Sequence, residues 1–194
     1  LRAWLHEWRL LVRPAVNAVL PAWLLRRRVA RSGLAGLVWL GSESRARLVA
    51  QGLPSGPLVR PSVRPLSLPP PAQKLWPTLG FFGPPLWLRG LDLVLDVFEA
   101  LRRRGIMLRL RLVLRPLAEE PPPWLKRRLA RSPFASDIEV LHAQLAPDGL
   151  ARALAEIDLF LLPFRIAVAE APLVIPEAAL SGRPVIVLDR AGIG

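Results

Sequence analysis

The sequence contains no cysteine and no tyrosine, a single methionine and two histidines, and only Lys74 and Lys126 are lysines among its 27 basic residues. Without cysteine, both a disulfide framework and a thiolate metal site are excluded. Two histidines and no thiol leave little from which to build a zinc centre, so a metal hydrolase is not expected. No G-x-G-x-x-G follows the first strand pattern, which disfavours a Rossmann dehydrogenase. Long apolar runs are lacking as well. The best candidate, "LLVRPAVNAVLPAWLLRRR" at residues 10 to 28, is interrupted by Arg13, Pro14, Asn17 and Pro21, whereas a spanning helix needs ~20 predominantly apolar residues. A helix buried in a domain is expected there, with a basic helix lying on a membrane surface as the alternative.

Acidic residues are also scarce. Only 15 are present, and the formal charge is +12. That balance favours anionic partners such as nucleic acid, acidic lipid or phosphorylated small molecules. Arginine used almost to the exclusion of lysine equally fits a GC-rich genome. The seven tryptophans and six phenylalanines lie scattered in apolar runs, not interleaved with basic residues on a stacking face, so no nucleic-acid partner is expected.

A 52% hydrophobic composition supports a packed core. The 194 residues suffice for one domain, or one domain and part of another. The chain starts with Leu and stops at "DRAGIG", and it is expected to be a piece of something longer.

From residue 79 onward strand and helix patterns alternate. The apolar run "LGFFG" (79–83) reads as a buried strand. In "LDLVLDVFEALRRRG" (91–105), Leu91, Val94, Leu95, Phe98 and Leu101 recur at helical spacing, with acids early, arginines late and Gly105 as a stop. "MLRLRLVL" (107–114) is a strand and "PWLKRRLARS" a basic helix. "IEVL" (138–141) is a third strand and "PDGLARALAEI" (147–157) a helix. "DLFLLP" (158–163), "PLVIPEAALSG" (172–182) and "PVIVLD" (184–189) complete the series as strand, helix and strand. This alternation predicts an α/β fold, a doubly wound parallel sheet. Ligands bind such sheets at the carboxyl ends of the strands, which directs attention to loops 83–90, 115–122, 142–148, 163–171 and 189–194.

Upstream, "LAGLVWLGSESRARLVAQG" (34–52) reads as strand, turn and helix, with Ser42 or Ser44 as a cap. "PLVRPSV" (57–63) is a further short strand. The proline-dense "RPLSLPPPAQKLWP" (64–77) is expected to be a linker. Residues 1–63 would then close a preceding domain, and residues 78–194 would form the greater part of a second.

These features in this order resemble a GT-B glycosyltransferase of the large retaining family often called family 4. The resemblance rests on "LVWLGSES", "GFFGPPLWLRGLDLVLDVFEAL", "IEVLHAQLAPDGLARALAEIDLFLLPF" and "EAPLVIPEAALSGRPVIVLDRAGIG". It implies two Rossmann-like domains, with the nucleotide-sugar donor bound by the C-terminal one, 78–194. By motif match Glu177 accepts hydrogen bonds from the donor ribose, as an acceptor-only carboxylate suits a diol. Glu170 would lie near the transferred sugar, though six residues stand between the two glutamates where the family has seven and a glycine-rich "EGFG" is usual.

In "GPPLWLRG" (83–90) the family places an arginine directly after the glycine and a second cation before the next one. Here Gly83 and Arg89 match, and Pro84 replaces the first cation. Arginine and a helix start suit the charge that develops on a departing diphosphate. His6, in "WLHEW", resembles the family histidine that faces the sugar. Ser42 resembles a serine with a mostly structural role, and His142 follows the third strand without a specific match.

The resemblance implies a retaining sugar transfer from a nucleotide-sugar to an unidentified acceptor. It implies no metal and no cofactor. A cytoplasmic location is expected from the absence of cysteine, and a peripheral membrane contact from the basic stretch at residues 10–28. Pro84 and the altered glutamate spacing raise the alternative of a relative that keeps the fold without turnover.

Overall fold

The computed structural model describes residues 73–165 and 172–189 continuously, 21–33 and 36–59 upstream, and Glu7, Val12, Ser62, Val63, Leu68 and Pro70 singly. Five parallel strands form one sheet: β1 (Thr78–Gly83), β2 (Arg109–Leu114), β3 (Ile138–His142), β4 (Leu159–Leu162) and β5 (Val185–Val187), in the order β3-β2-β1-β4-β5. The expected alternation is present in the expected order. β1 is buried along its whole length, because strands flank it on both sides and helices cover both faces.

The order reverses between β1 and β4. β2 and β3 lie on one side of β1, and β4 and β5 on the other. Register keeps the carboxyl ends together, with Gly83 opposite Leu114 and Leu114 opposite His142. The crevice at such a reversal is where doubly wound sheets bind ligands.

Helix α3 (Leu91–Arg103) follows β1. Leu91, Val94, Leu95 and Phe98 are its fully buried stripe, each contributing about 1.5–3 kcal/mol through burial. Phe98 meets Phe134 edge-on at 6.4 Å, and Phe82 meets Phe160 at 6.2 Å. α4 (Pro123–Ala130), α5 (Pro147–Ala155) and α6 (Val174–Leu180) connect the remaining strands. The arginine of "GRPV", Arg183, is buried and donates to the carbonyls of Ile157 at 3.0 Å and Ala155 at 3.4 Å. It closes the end of α5, where orphan carbonyls need donors.

Upstream lie α1 (Ala22–Arg31) and α2 (Ser42–Ala50). Two expectations need correcting here. The strands foreseen around 34–41 and 57–63 reduce, among the described residues, to a single parallel bridge between Trp39 and Leu58. Pro57 lacks the N–H group that a longer ladder would use. Neither Ser42 nor Ser44 caps α2. Gly41 stands at the N-cap in extended conformation and its carbonyl accepts the Arg45 N–H at 3.1 Å, so Ser42 is already the first helical residue. No helix among the described residues is long and apolar enough to cross a membrane.

The chain just before β1 is tied to β4. The Asp158 carboxylate accepts the Thr78 N–H at 2.7 Å and pairs with Lys74 at 3.3 Å.

Candidate functional site at the strand reversal

β1 ends in Gly83, whose φ of +137° strains any L-residue. A side-chain carbon there would meet nothing within 4 Å, so the backbone edge is open to approach. The chain then turns through Pro84 and Pro85 into a 3-10 turn at Trp87–Arg89. Gly90 joins this turn to α3 with φ +73°, and a Cβ there would fall 2.0 Å from the Pro163 carbonyl oxygen. The β1–α3 turn therefore sits directly against the chain leaving β4, and only glycine allows that approach.

Glu7 and Arg165 fix the turn further. The buried Glu7 carboxylate accepts the backbone N–H groups of Trp87 at 2.5 Å and Leu88 at 2.9 Å. The Arg165 N–H donates to the Leu88 carbonyl at 3.0 Å, and its guanidinium lies 4.6 Å from the Trp87 ring centroid. That guanidinium also pairs with Asp92 at 2.6 Å, so Arg165 has its counter-charge. Arg89, held by this frame, places its guanidinium 4.5 Å from the Phe164 ring centroid.

Above the strand ends lies a cleft of about 480 Å³, lined by Gly83, Pro84, Arg89, Arg115, Gln144 and Glu177 together with apolar groups such as Phe164 and Leu173. Every βα turn from β1 to β4 contributes to it. Glu177 stands in the first turn of α6. Burial pushes its carboxyl above the usual carboxylate range, and Arg115 opposes that rise. Burial, and then the charge of Arg115, push the Arg89 guanidinium below its ordinary value. It remains a cation at any physiological pH. Among the described residues, neither Arg89 nor Arg115 forms an ion pair with a carboxylate. A low-dielectric pocket with two unmatched guanidiniums and one carboxylate suits an anion joined to a polyol.

Three of the residues singled out in the sequence, Gly83, Arg89 and Glu177, thus converge on one cleft. His6 and Glu170 lie outside the described residues. His142 ends β3, and its Nε2 is buried without a hydrogen-bond partner among the described residues. The cleft lining begins one residue later, at Ala143. Arg115 and Gln144 were not foreseen individually. The available signal was positional, since each directly follows or nearly follows a strand's carboxyl end.

The sequence profile of the family described as glycosyl transferases group 1 matches residues 76–194. The chain belongs to that family. No curated protein matches it in sequence. Among solved structures, Anabaena Alr3699/HepE in complex with UDP-glucose is similar over 88% of this chain and 49% of its own, with 13% identity and a TM-score of 0.64. A point mutant of S. aureus TarM, in complex with fondaparinux, alpha-GlcNAc-glycerol and UDP, is similar over 79% of this chain and 30% of its own, with 14% identity and a TM-score of 0.58. The apo form of the lipopolysaccharide outer core galactosyltransferase WaaB is similar over 77% and 42%, with 18% identity and a TM-score of 0.53. This group 1 glycosyl transferase chain shares their GT-B fold and spans less than half the length of each. Among the described residues no cluster of three or more His, Asp or Glu side chains could hold a metal ion.

Proposed function

We propose that the protein transfers a sugar from a nucleotide-sugar donor to an acceptor, with retention at the anomeric carbon. The observation that carries this reading is the convergence of Arg89 and Glu177 on one cleft at the strand reversal, in a chain of the glycosyl transferases group 1 family. In the reaction the bond between the anomeric carbon and the diphosphate oxygen breaks, and negative charge develops on the leaving diphosphate. Preorganised cations meet that charge without reorganising. Arg89 supplies one, on a turn held rigid by Gly90, Glu7 and Arg165. Gly83 gives the donor close access to the backbone, and Glu177 accepts the ribose hydroxyls.

His6 and Glu170 take the sugar side of the pocket in this reading, on the strength of the family resemblance. Residues 1–63 complete an acceptor-side domain, 64–77 form the linker, and 78–194 bind the donor. The acceptor is a glycan or lipid-linked sugar met in the cytoplasm at the membrane face. The basic helix α1, with Trp23 exposed beside Arg26, Arg27 and Arg28, supports a peripheral contact there. No bound metal is invoked.

Pro84, which lines the cleft where the family carries a cation, favours one competing reading: a relative that keeps the fold without turnover. Calorimetric titration with UDP, GDP and ADP, beside the Glu177→Ala variant, separates the two. Saturable binding of one nucleotide, weakened in the variant, is the outcome expected of the transferase. A folded protein that binds none of the three would turn the assignment to the inactive relative.

A further inference from the structure

The cleft holds a second cation that the sequence motif does not explain. Arg115 is the first residue after β2 and its N–H donates to the Gly83 carbonyl at 3.0 Å, so its backbone is pinned to the open edge of β1. Its side chain lines the same cleft as Arg89, Pro84 and Glu177. It is exposed, and among the described residues it forms no ion pair, not even with Glu177 on the facing helix. By contrast Arg165, just beyond β4, is committed to Asp92 at 2.6 Å. Two like charges sharing a half-enclosed pocket repel each other, and that repulsion is relieved when an anion of matching charge enters. A diphosphate carries more than one charge, and Arg89 alone cannot match it. Pro84, at the turn beside them, brings neither a charge nor an N–H.

We propose that Arg115 is the second cation of the donor's diphosphate site, standing in from β2 for the charge that Pro84 does not provide. The inference rests on the nucleotide-sugar reading above and adds to it a residue and a role. It divides the donor between two ends of the cleft: Arg89 and Arg115 grip the two phosphates from the β1 and β2 turns, and Glu177 holds the ribose from α6. It also removes the reason for regarding Pro84 as the loss of the phosphate site.

The test is calorimetric titration of the protein and its Arg115→Ala and Arg115→Lys variants. The probes are the best-binding diphosphate among UDP, GDP and ADP, and the corresponding nucleoside without phosphate. Arg115→Ala is expected to weaken diphosphate binding about tenfold or more while changing nucleoside binding less than about twofold. Lysine, which keeps the charge without the fork, is expected to recover part of the loss. Because Arg115 is exposed, unchanged melting temperatures provide the folding control. Equal weakening of diphosphate and nucleoside, or an unaltered diphosphate affinity, would overturn the assignment while leaving the transferase reading in place. So would a loss that disappears in a Glu177→Ala background, since Arg115 would then act only through that carboxylate. If the unaltered protein binds no nucleotide, both this assignment and the reading beneath it fall.

Discussion

The same small domain uses arginine in two opposite ways. Along the face where α3 meets α4, charges are matched. The Glu99 carboxylate, 2% exposed, takes Arg103 and Arg128 at 2.8 Å each, and Arg128 reaches Asp96 at 2.9 Å. Burial alone would raise the Glu99 carboxyl, but the Ser132 hydroxyl and the two guanidiniums outweigh it and hold the group below its usual range. At the strand reversal Arg89 and Arg115 share one cleft with Glu177, and among the described residues neither forms an ion pair. Removing a partner from a matched set exposes a buried charge and costs stability, whereas guanidiniums outside any ion pair remain able to take an incoming anion. Residue type is the same in both regions. The presence or absence of a counter-charge separates architecture from site.

Four substitutions test that contrast, in order of expected effect. Arg89→Ala should cost nucleoside diphosphate binding roughly 2–3 kcal/mol, the range for hydrogen bonds to a charged group, with little change in melting temperature. Glu99→Ala should do the reverse, losing about 2 kcal/mol of stability in chemical denaturation while nucleotide affinity stays where it was. A Glu99 variant that also lost nucleotide binding would show that the two regions are not independent. Glu177→Ala should weaken nucleotide binding by about 1.5 kcal/mol, the lower end of the range for hydrogen bonds to a charged group, since burial already raises its carboxyl.

The smallest effect is a pH dependence of stability. The Glu177 carboxyl is raised in the folded protein. Its contribution to stability is therefore complete when it is protonated, and it is lost as pH rises from the ordinary glutamate range through the raised value. Glu177→Gln should melt slightly higher than the unaltered protein at neutral pH, and the difference should close below about pH 4.5. A constant difference across that range would deny the raised carboxyl.

Much of this fold was legible in the sequence. Leu91, Val94, Leu95 and Phe98 announce α3 by spacing, and all four are fully buried. Short apolar runs between helical patterns marked the five strands, because both faces of a parallel sheet must be covered. The positions of Gly83, Arg89 and Glu177 on the cleft were legible because the family motif matched them, at the end of β1, in the turn after it and in the first turn of α6. Arg115 was not, because no local pattern distinguishes an arginine aimed into a cleft from the others in a chain rich in them. Its position just after a strand end was a hint, and the strand order, which brings the end of β2 beside Gly83, is what puts it on the cleft. Glu7 was hidden for the same reason: its carboxylate serves amides 80 residues away. The capping role expected of Ser42 or Ser44 failed because Gly41 reaches the required extended conformation by itself.

The most direct test of the central claim is a crystal structure of the protein with UDP bound. The account predicts the diphosphate between the Arg89 and Arg115 guanidiniums, with the ribose hydroxyls donating to Glu177. A nucleotide seated elsewhere, or a diphosphate turned away from both arginines with Glu177 left unoccupied, would contradict it.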